Sequence, residues 1–139
     1  MLKKYAYWSS TGLLCLLYLA SATMYLTMGD QVRQSLTALG YPAYLREVLL
    51  VVKILGVAAI LSRLSVRLSD LAYAGMFYHL LLAFSAHINA GDGGFVPAVV
   101  GFAALIVSFL TQNAARAKKS LYAPLPALPE NAKSPGRKQ

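Results

Sequence analysis

Residues Phe95–Ala115 read FVPAVVGFAALIVSFLTQNAA, 21 positions without one charged side chain. A helix of that length spans about 30 Å, the thickness of a bilayer's hydrocarbon core. Three further apolar stretches precede it. Trp8–Met28 is 21 residues without a charge, and Leu71–Ile88 is 18 residues that include two histidines. Val48–Ser62 is 15 residues interrupted only by Lys53, and Tyr44–Ser62 reaches spanning length once Arg46 and Glu47 lie among the headgroups. Over all 139 residues, 58% are hydrophobic and 13% charged, too few charges for the surface of a soluble domain. The expected fold is all-α: an integral membrane four-helix bundle, residues 8–115, with spans near 8–28, 44–62, 71–88 and 95–115.

Charge then orients the spans. Of 13 Lys and Arg residues, two precede the first span (Lys3, Lys4), two lie between 62 and 70 (Arg63, Arg67), and six follow the fourth: Arg116, Lys118, Lys119, Lys133, Arg137 and Lys138. The 29–46 segment holds Arg33 and Arg46, offset by Asp30, and residues 89–94 hold no Lys or Arg. Positive residues collect on the cytoplasmic side of membrane proteins, so this pattern predicts an N-in, C-in, multi-pass protein of a cell inner membrane. Residues 1–7 become a basic cytoplasmic N-terminus. The net charge of +8 is thereby assigned to topology and to the lipid bilayer, with anionic lipid as its counterpart, and not to nucleic acid. Lys3-Lys4, an apolar run and Ala20-Ser21-Ala22 also fit a cleaved leader, but the run continues to Met28, which favours a retained span.

Between the spans, Val32, Leu36 and Leu39 recur at helical spacing after Gly29-Asp30 and before Gly40. The pattern predicts a short amphipathic helix on the outer face, with Asp30 as N-cap and Gly40 as the residue that ends it. Gly91-Asp92-Gly93-Gly94 predicts a tight outer turn, and Pro97 suits the first turn of the last helix. Beyond the last span, Pro124, Pro126, Pro129 and Pro135 among Lys, Asn and Gly predict a disordered basic tail over 116–139.

Helices associate in lipid through small residues that allow close approach. On the third span Ala72, Gly75, His79, Ala83 and Ala86 share an arc; on the fourth, Gly101, Ala104, Ser108, Thr111 and Ala115 do so. Lys53 shares a face with Gly56, Ile60 and Arg63 on the second. Counting about 1.5 Å per residue from Trp8, Arg63 and Asp70 puts Tyr18, Lys53 and His79 each about 15 Å from the inner surface, near the midplane. Tyr25, Glu47 and His87 form a second layer about 25 Å up, with Asp92 just outside. An ionisable residue at the bilayer centre is expensive, so these six side chains are the candidate ligand-binding cavity. Each also has a structural reading: Lys53 snorkelling toward Glu47, His79 bonding a neighbouring helix, His87 and Asp92 anchoring the outer turn.

Other chemistry finds no support. His79 and His87 are eight residues apart on one helix, about 12 Å along it and 80° around it, so one metal ion cannot take both. Cys15 is the single cysteine, which excludes an internal disulfide and every Cys-x-x-Cys motif. No Ser-His-Asp set, glycine-rich phosphate loop, paired carboxylates or cofactor motif is present, so catalytic residues cannot be named.

Two stretches carry a family resemblance. Leu39-Gly40-Tyr41-Pro42-Ala43-Tyr44-Leu45 followed by Lys53-Ile54-Leu55-Gly56 is one; Leu71-Ala72-Tyr73-Ala74-Gly75 with Ala83, Ser85-Ala86-His87 and Gly91-Asp92 is the other. Together, from about Ser10 to Leu110, they resemble the DoxX-like family. The resemblance implies a four-helix membrane protein; some such relatives are membrane subunits of oxidoreductases such as thiosulfate:quinone oxidoreductase, and a eukaryotic branch acts as membrane-protein chaperones. Family members often carry Gly-x-x-Lys near the outer end of helix one, where this chain has Ala22-Thr23-Met24-Tyr25. Three functions follow as expectations. The first is a membrane subunit coupling a redox partner to the quinone pool, with a quinone as the possible ligand. The second is a non-catalytic scaffold or chaperone for another membrane protein, and the third a carrier of a small hydrophobic molecule.

Overall fold

The first helix, α1 (Leu2–Thr27), starts six residues before the apolar run, because Lys3, Lys4 and Tyr5 are compatible with helix once the bundle supplies a template. In the computed structural model, which describes residues 1–124, four more helices follow: α2 (Gly29–Ala38), α3 (Leu45–Ser62), α4 (Val66–Ala90) and α5 (Val96–Ala115). Among the described residues there is no strand. α1, α4 and α5 are long and apolar enough to cross a membrane. α3 has 18 residues, of which Arg46, Glu47 and Lys53 are charged.

Local signals explain most boundaries. α2 ends as the sequence predicts: Gly40 takes φ +85°, Tyr41 N–H donates to Leu36 O (2.8 Å) and Gly40 N–H to Thr37 O (3.0 Å). Those paired bonds satisfy the helix's last carbonyls, and glycine adopts the left-handed turn without a Cβ penalty. Its start differs from expectation. Met28 precedes the first turn, and Asp30 lies within it, 3.8 Å from Arg33, instead of capping it. Residues 63–65 form a connection shorter than the anticipated 62–70 loop, because Ser65 caps α4, its Oγ accepting from Leu68 N–H at 3.4 Å. Gly91, at φ +62°, ends α4, and Pro97 falls in the first turn of α5.

α1, α3, α4 and α5 stand side by side in a ring, each touching two neighbours: α1 with α3 and α5, α4 with α3 and α5. Their senses alternate, as paired residues show: Thr11 meets Ser108, Tyr18 meets His79, and Ser69 meets Ala59. α2 lies against α1 and α3 only, burying Val32 and Leu36. Leu14, Tyr18, Ile60, Tyr73, Met76, Leu80 and Leu105 make the core. Outward faces stay apolar on every long helix, with Leu16, Val51, Leu55, Leu82 and Leu110 all exposed. In water such a surface would aggregate; against lipid chains it carries no penalty.

One expectation about packing is corrected. α4 buries Ser69, Tyr73, Met76 and Leu80, a face about a quarter-turn from the stripe Ala72, Gly75, His79, Ala83 and Ala86. The larger side chains fill the centre of the ring, and the small ones leave a cleft beside α3. The stripe on α5 does pack inward: Gly101, Ala104 and Ser108 are buried, and a Cβ on Gly101 would come within 3.0 Å of Leu80 Cδ2. The expected tail begins at Arg116, and residues 116–124 of it are among those described. Arg116, Ser120 and Ala123 are buried against the bundle because Asn113 binds the returning chain. Its Nδ2 donates to Ser120 O (3.0 Å) and Ala123 O (3.1 Å), and its Oδ1 accepts from Ser120 N–H (2.8 Å). The rest of the expected tail lies outside the described residues.

Candidate functional site

At mid-height of the ring, α1, α3 and α4 each contribute one polar side chain to a single chain of hydrogen bonds. Lys53 Nζ lies 3.3 Å from His79 Nε2, and His79 Nδ1 lies 3.0 Å from Tyr18 Oη. Tyr18 O–H in turn donates to Met76 O at 3.4 Å. The polarity of this chain follows from its first member. An ammonium has donors only, so with Lys53 charged Nε2 must accept; neutral His79 then carries its proton on Nδ1 and donates to Tyr18.

Lys53 is 4% exposed, so its stem turns into the ring instead of snorkelling out. Its ammonium lies 4.4 Å from the Tyr25 ring centroid and 5.9 Å from that of Tyr18, aromatic faces that attract a cation where water is scarce. Among the described residues no carboxylate shares the site: Glu47 instead meets Arg33 (2.5 Å) and Arg46 (3.0 Å). Arg46 holds the chain end of α1 as well, its guanidinium donating to Tyr25 O through Nε (2.9 Å) and Nη2.

Of the six residues singled out, the structure thus gathers Tyr18, Tyr25, Lys53 and His79. Glu47 belongs to the arginine cluster under α2, and His87 to the turn after α4. There His87 Nδ1 lies 2.8 Å from an Asp92 oxygen, while Asp92 also accepts from Gly94 N–H at 2.8 Å. That backbone bond first, and His87 second, hold the Asp92 carboxyl below its ordinary pKa.

Beside the buried chain lies a cleft of about 270 Å³ between α3 and α4. Tyr18, Lys53 and His79 line it with the apolar Leu49, Leu55 and Leu71, and Gly56, Ala72 and Gly75 make room for it. Small residues on facing helices thus open a space with a polar wall and an otherwise apolar lining. Such a site suits a ligand with a flat polar head and a hydrocarbon body. Among the described residues no three His, Cys, Asp or Glu side chains come together as metal ligands would.

Nearer the opposite end lies a polar network that the sequence reading missed. Ser108 Oγ is 2.6 Å from Thr11 Oγ1 and 2.7 Å from Tyr73 Oη, with all three residues buried. Below it, Gln112 Nε2 donates to Asp70 (3.3 Å), Ser120 Oγ donates to Asp70 (2.9 Å), and Arg116 Nε donates to Tyr7 Oη (3.4 Å). Among the described residues, Gln112 Oε1 and Arg116 Nη2 are buried without a partner. The signal available was Gln112-Asn113, two amides closing an otherwise apolar helix.

Comparison with known proteins adds one finding. The model of the family described as DoxX-like matches residues 9–109, which takes in all of α2 to α4 and most of α1 and α5, and with them Tyr18, Tyr25, Lys53 and His79. No curated protein and no solved structure matches the chain.

Proposed function

The chain belongs to the DoxX-like family of membrane proteins, and from that premise we propose that it is a small inner-membrane subunit that binds a quinone-like amphiphile between α3 and α4. In this reading all four long helices span, α3 included, with N-in, C-in topology. The apolar outward face of α3 supports this, with Val48, Val51, Ile54 and Leu55 exposed while Lys53 points inward. So does the placement of charge: Lys3, Lys4, Arg63, Arg67, Arg116, Lys118 and Lys119 belong to one end of the ring.

One observation carries the ligand reading. Tyr18, Lys53 and His79, already bonded to one another, form the polar wall of the cleft between α3 and α4. Lys53 offers donors to a carbonyl oxygen, and His79 and Tyr18 can pass a proton along their shared bond. Reduction of a quinone takes two electrons and two protons. The sequence offers no cofactor motif, so in this reading the electrons come from a partner protein and the buried residues serve binding and proton handling.

Purified protein should retain quinone or bind it when it is added. His79→Leu should weaken that binding at least tenfold, whereas Cys15→Ala, also in the ring but away from the cleft, should leave it unchanged. If saturating quinone neither binds nor raises the melting temperature, the ligand reading fails. The second reading, a non-catalytic scaffold, would then stand on the same hydrogen bonds, which link α1, α3 and α4 whatever occupies the cleft.

A further inference from the structure

At the end of the ring that gathers the start of α1, the α3–α4 connection and the end of α5, a separate cavity of about 430 Å³ is lined by Arg63, Val66, Ala115, Arg116, Ala117 and Lys118. Three of the six are cations and none is acidic. Among the described residues the ion pairs involve Arg33, Arg46 and His87, so Arg63, Arg116 and Lys118 have no carboxylate partner. Like charges around one hollow repel, and an anion in it relieves that repulsion.

The cations are held in place. Arg63 takes φ +55°, a conformation uncommon for a side-chain-bearing residue. Its Nη2 donates to Ala115 O at 2.5 Å, and its guanidinium lies 5.4 Å from the centroid of the Trp8 ring. That carbonyl uses one N–H and leaves further donors of the fork. Lys119 fastens the turn behind the cavity, its ammonium donating to Asn113 O and, at 2.7 Å, to Arg116 O. Arg116 is 4% exposed, turned onto Tyr7, with Nη2 unpartnered. Lys118 alone makes no bond to the described residues and is free to close on a ligand.

The surroundings distinguish a lipid anion from a dissolved one. Trp8 and Leu64, beside Arg63, are exposed by 45% and 80%, and in the membrane reading this apolar surface lies where headgroups give way to acyl chains. We propose that this cavity holds the phosphate of an anionic phospholipid headgroup, with Arg63 and Lys118 as its direct partners and Arg116 contributing positive potential from behind. The proposal rests on the membrane reading but not on the quinone cleft, so either can fail without the other.

Lipid retention by the purified full chain tests it, using native mass spectrometry and melting temperature with phosphatidylglycerol or phosphatidylcholine added to detergent micelles. Phosphatidylglycerol should be retained and should raise the melting temperature, and phosphatidylcholine should do neither. Arg63→Gln and Lys118→Gln should each weaken retention about fivefold, from about 1 kcal/mol per cation at an anionic surface. Lys3→Gln with Lys4→Gln removes more charge at the same end and should leave it unchanged. Arg63 also bonds α5, so its variant can lose fold; Lys118→Gln removes no bond to the described residues and keeps the test decisive. Retention that falls equally in the Lys3/Lys4 variant would mean net charge, not this cavity, and would overturn the proposal. Displacement of the lipid by millimolar inorganic phosphate would overturn it too, as a site for the free anion.

Discussion

Lys53 is the residue on which the midplane reading turns. A lysine at the centre of a membrane helix raises the cost of insertion by about 2.5–3.5 kcal/mol on translocon scales. Its partners return only part of that, since an interhelical hydrogen bond in lipid averages about 0.6 kcal/mol. Lys53→Leu should therefore leave thermal stability in detergent unchanged or raised, although His79 Nε2 loses its partner. Quinone retention should be lost in the same sample. Loss of stability together with retention would make Lys53 a packing residue and remove it from the proposed site. The departure at Tyr25 also gains a physical meaning at this scale. Where the resemblance leads one to expect a lysine, this chain places an aromatic ring 4.4 Å from the Lys53 ammonium.

Among the elements, α5 and α1 are joined by a bond that apolar periodicity does not reveal. Ser108 is fully buried and serves both Thr11 and Tyr73, so α1, α4 and α5 share one hydroxyl. Ser108→Ala keeps the small volume that lets α5 approach α1, yet takes from Thr11 and Tyr73 the buried hydroxyl they share. The expected loss is about 0.6–2 kcal/mol of stability, read from the melting temperature or from resistance to a denaturing detergent. Thr111→Ala is the control, because that hydroxyl bonds only its own helix at Val107 O (2.6 Å) and its loss should be neutral. Equal behaviour of the two variants would show that the three-way bond contributes nothing.

For the whole molecule, orientation is the property to measure. Reporter fusions placed after Gln139 and in the 63–65 connection should read cytoplasmic, and a fusion at Asp92 external. A cytoplasmic Asp92 would end the N-in, C-in four-span reading. The intact mass should retain residues 1–22; a product beginning near Thr23 would leave Tyr18 outside the mature protein and dissolve the buried chain of bonds.

Helix-forming runs and relative height were legible in the residues themselves. Both are properties of a single helix: apolar length fixes what lipid accepts, and a rise of about 1.5 Å per residue fixes height, so Tyr18, Lys53 and His79 could be placed level before any packing was known. Gly40 and Pro97 were legible for the same reason, since their backbone preferences act within a few residues. Rotation about the helix axis is different, because it depends on which neighbour's side chains fill the ring. Tertiary structure alone turned Tyr73 and Met76 of α4 inward, so that Ala72 and Gly75 border a cleft instead of a contact. It also decided that Lys53 meets His79 rather than Glu47, which the arginines of α2 and α3 had already engaged, and that Asn113 draws Ser120 and Ala123 back onto the bundle. Those outcomes are set by contacts between residues up to 109 positions apart, as with Arg116 and Tyr7, and no local pattern encodes them.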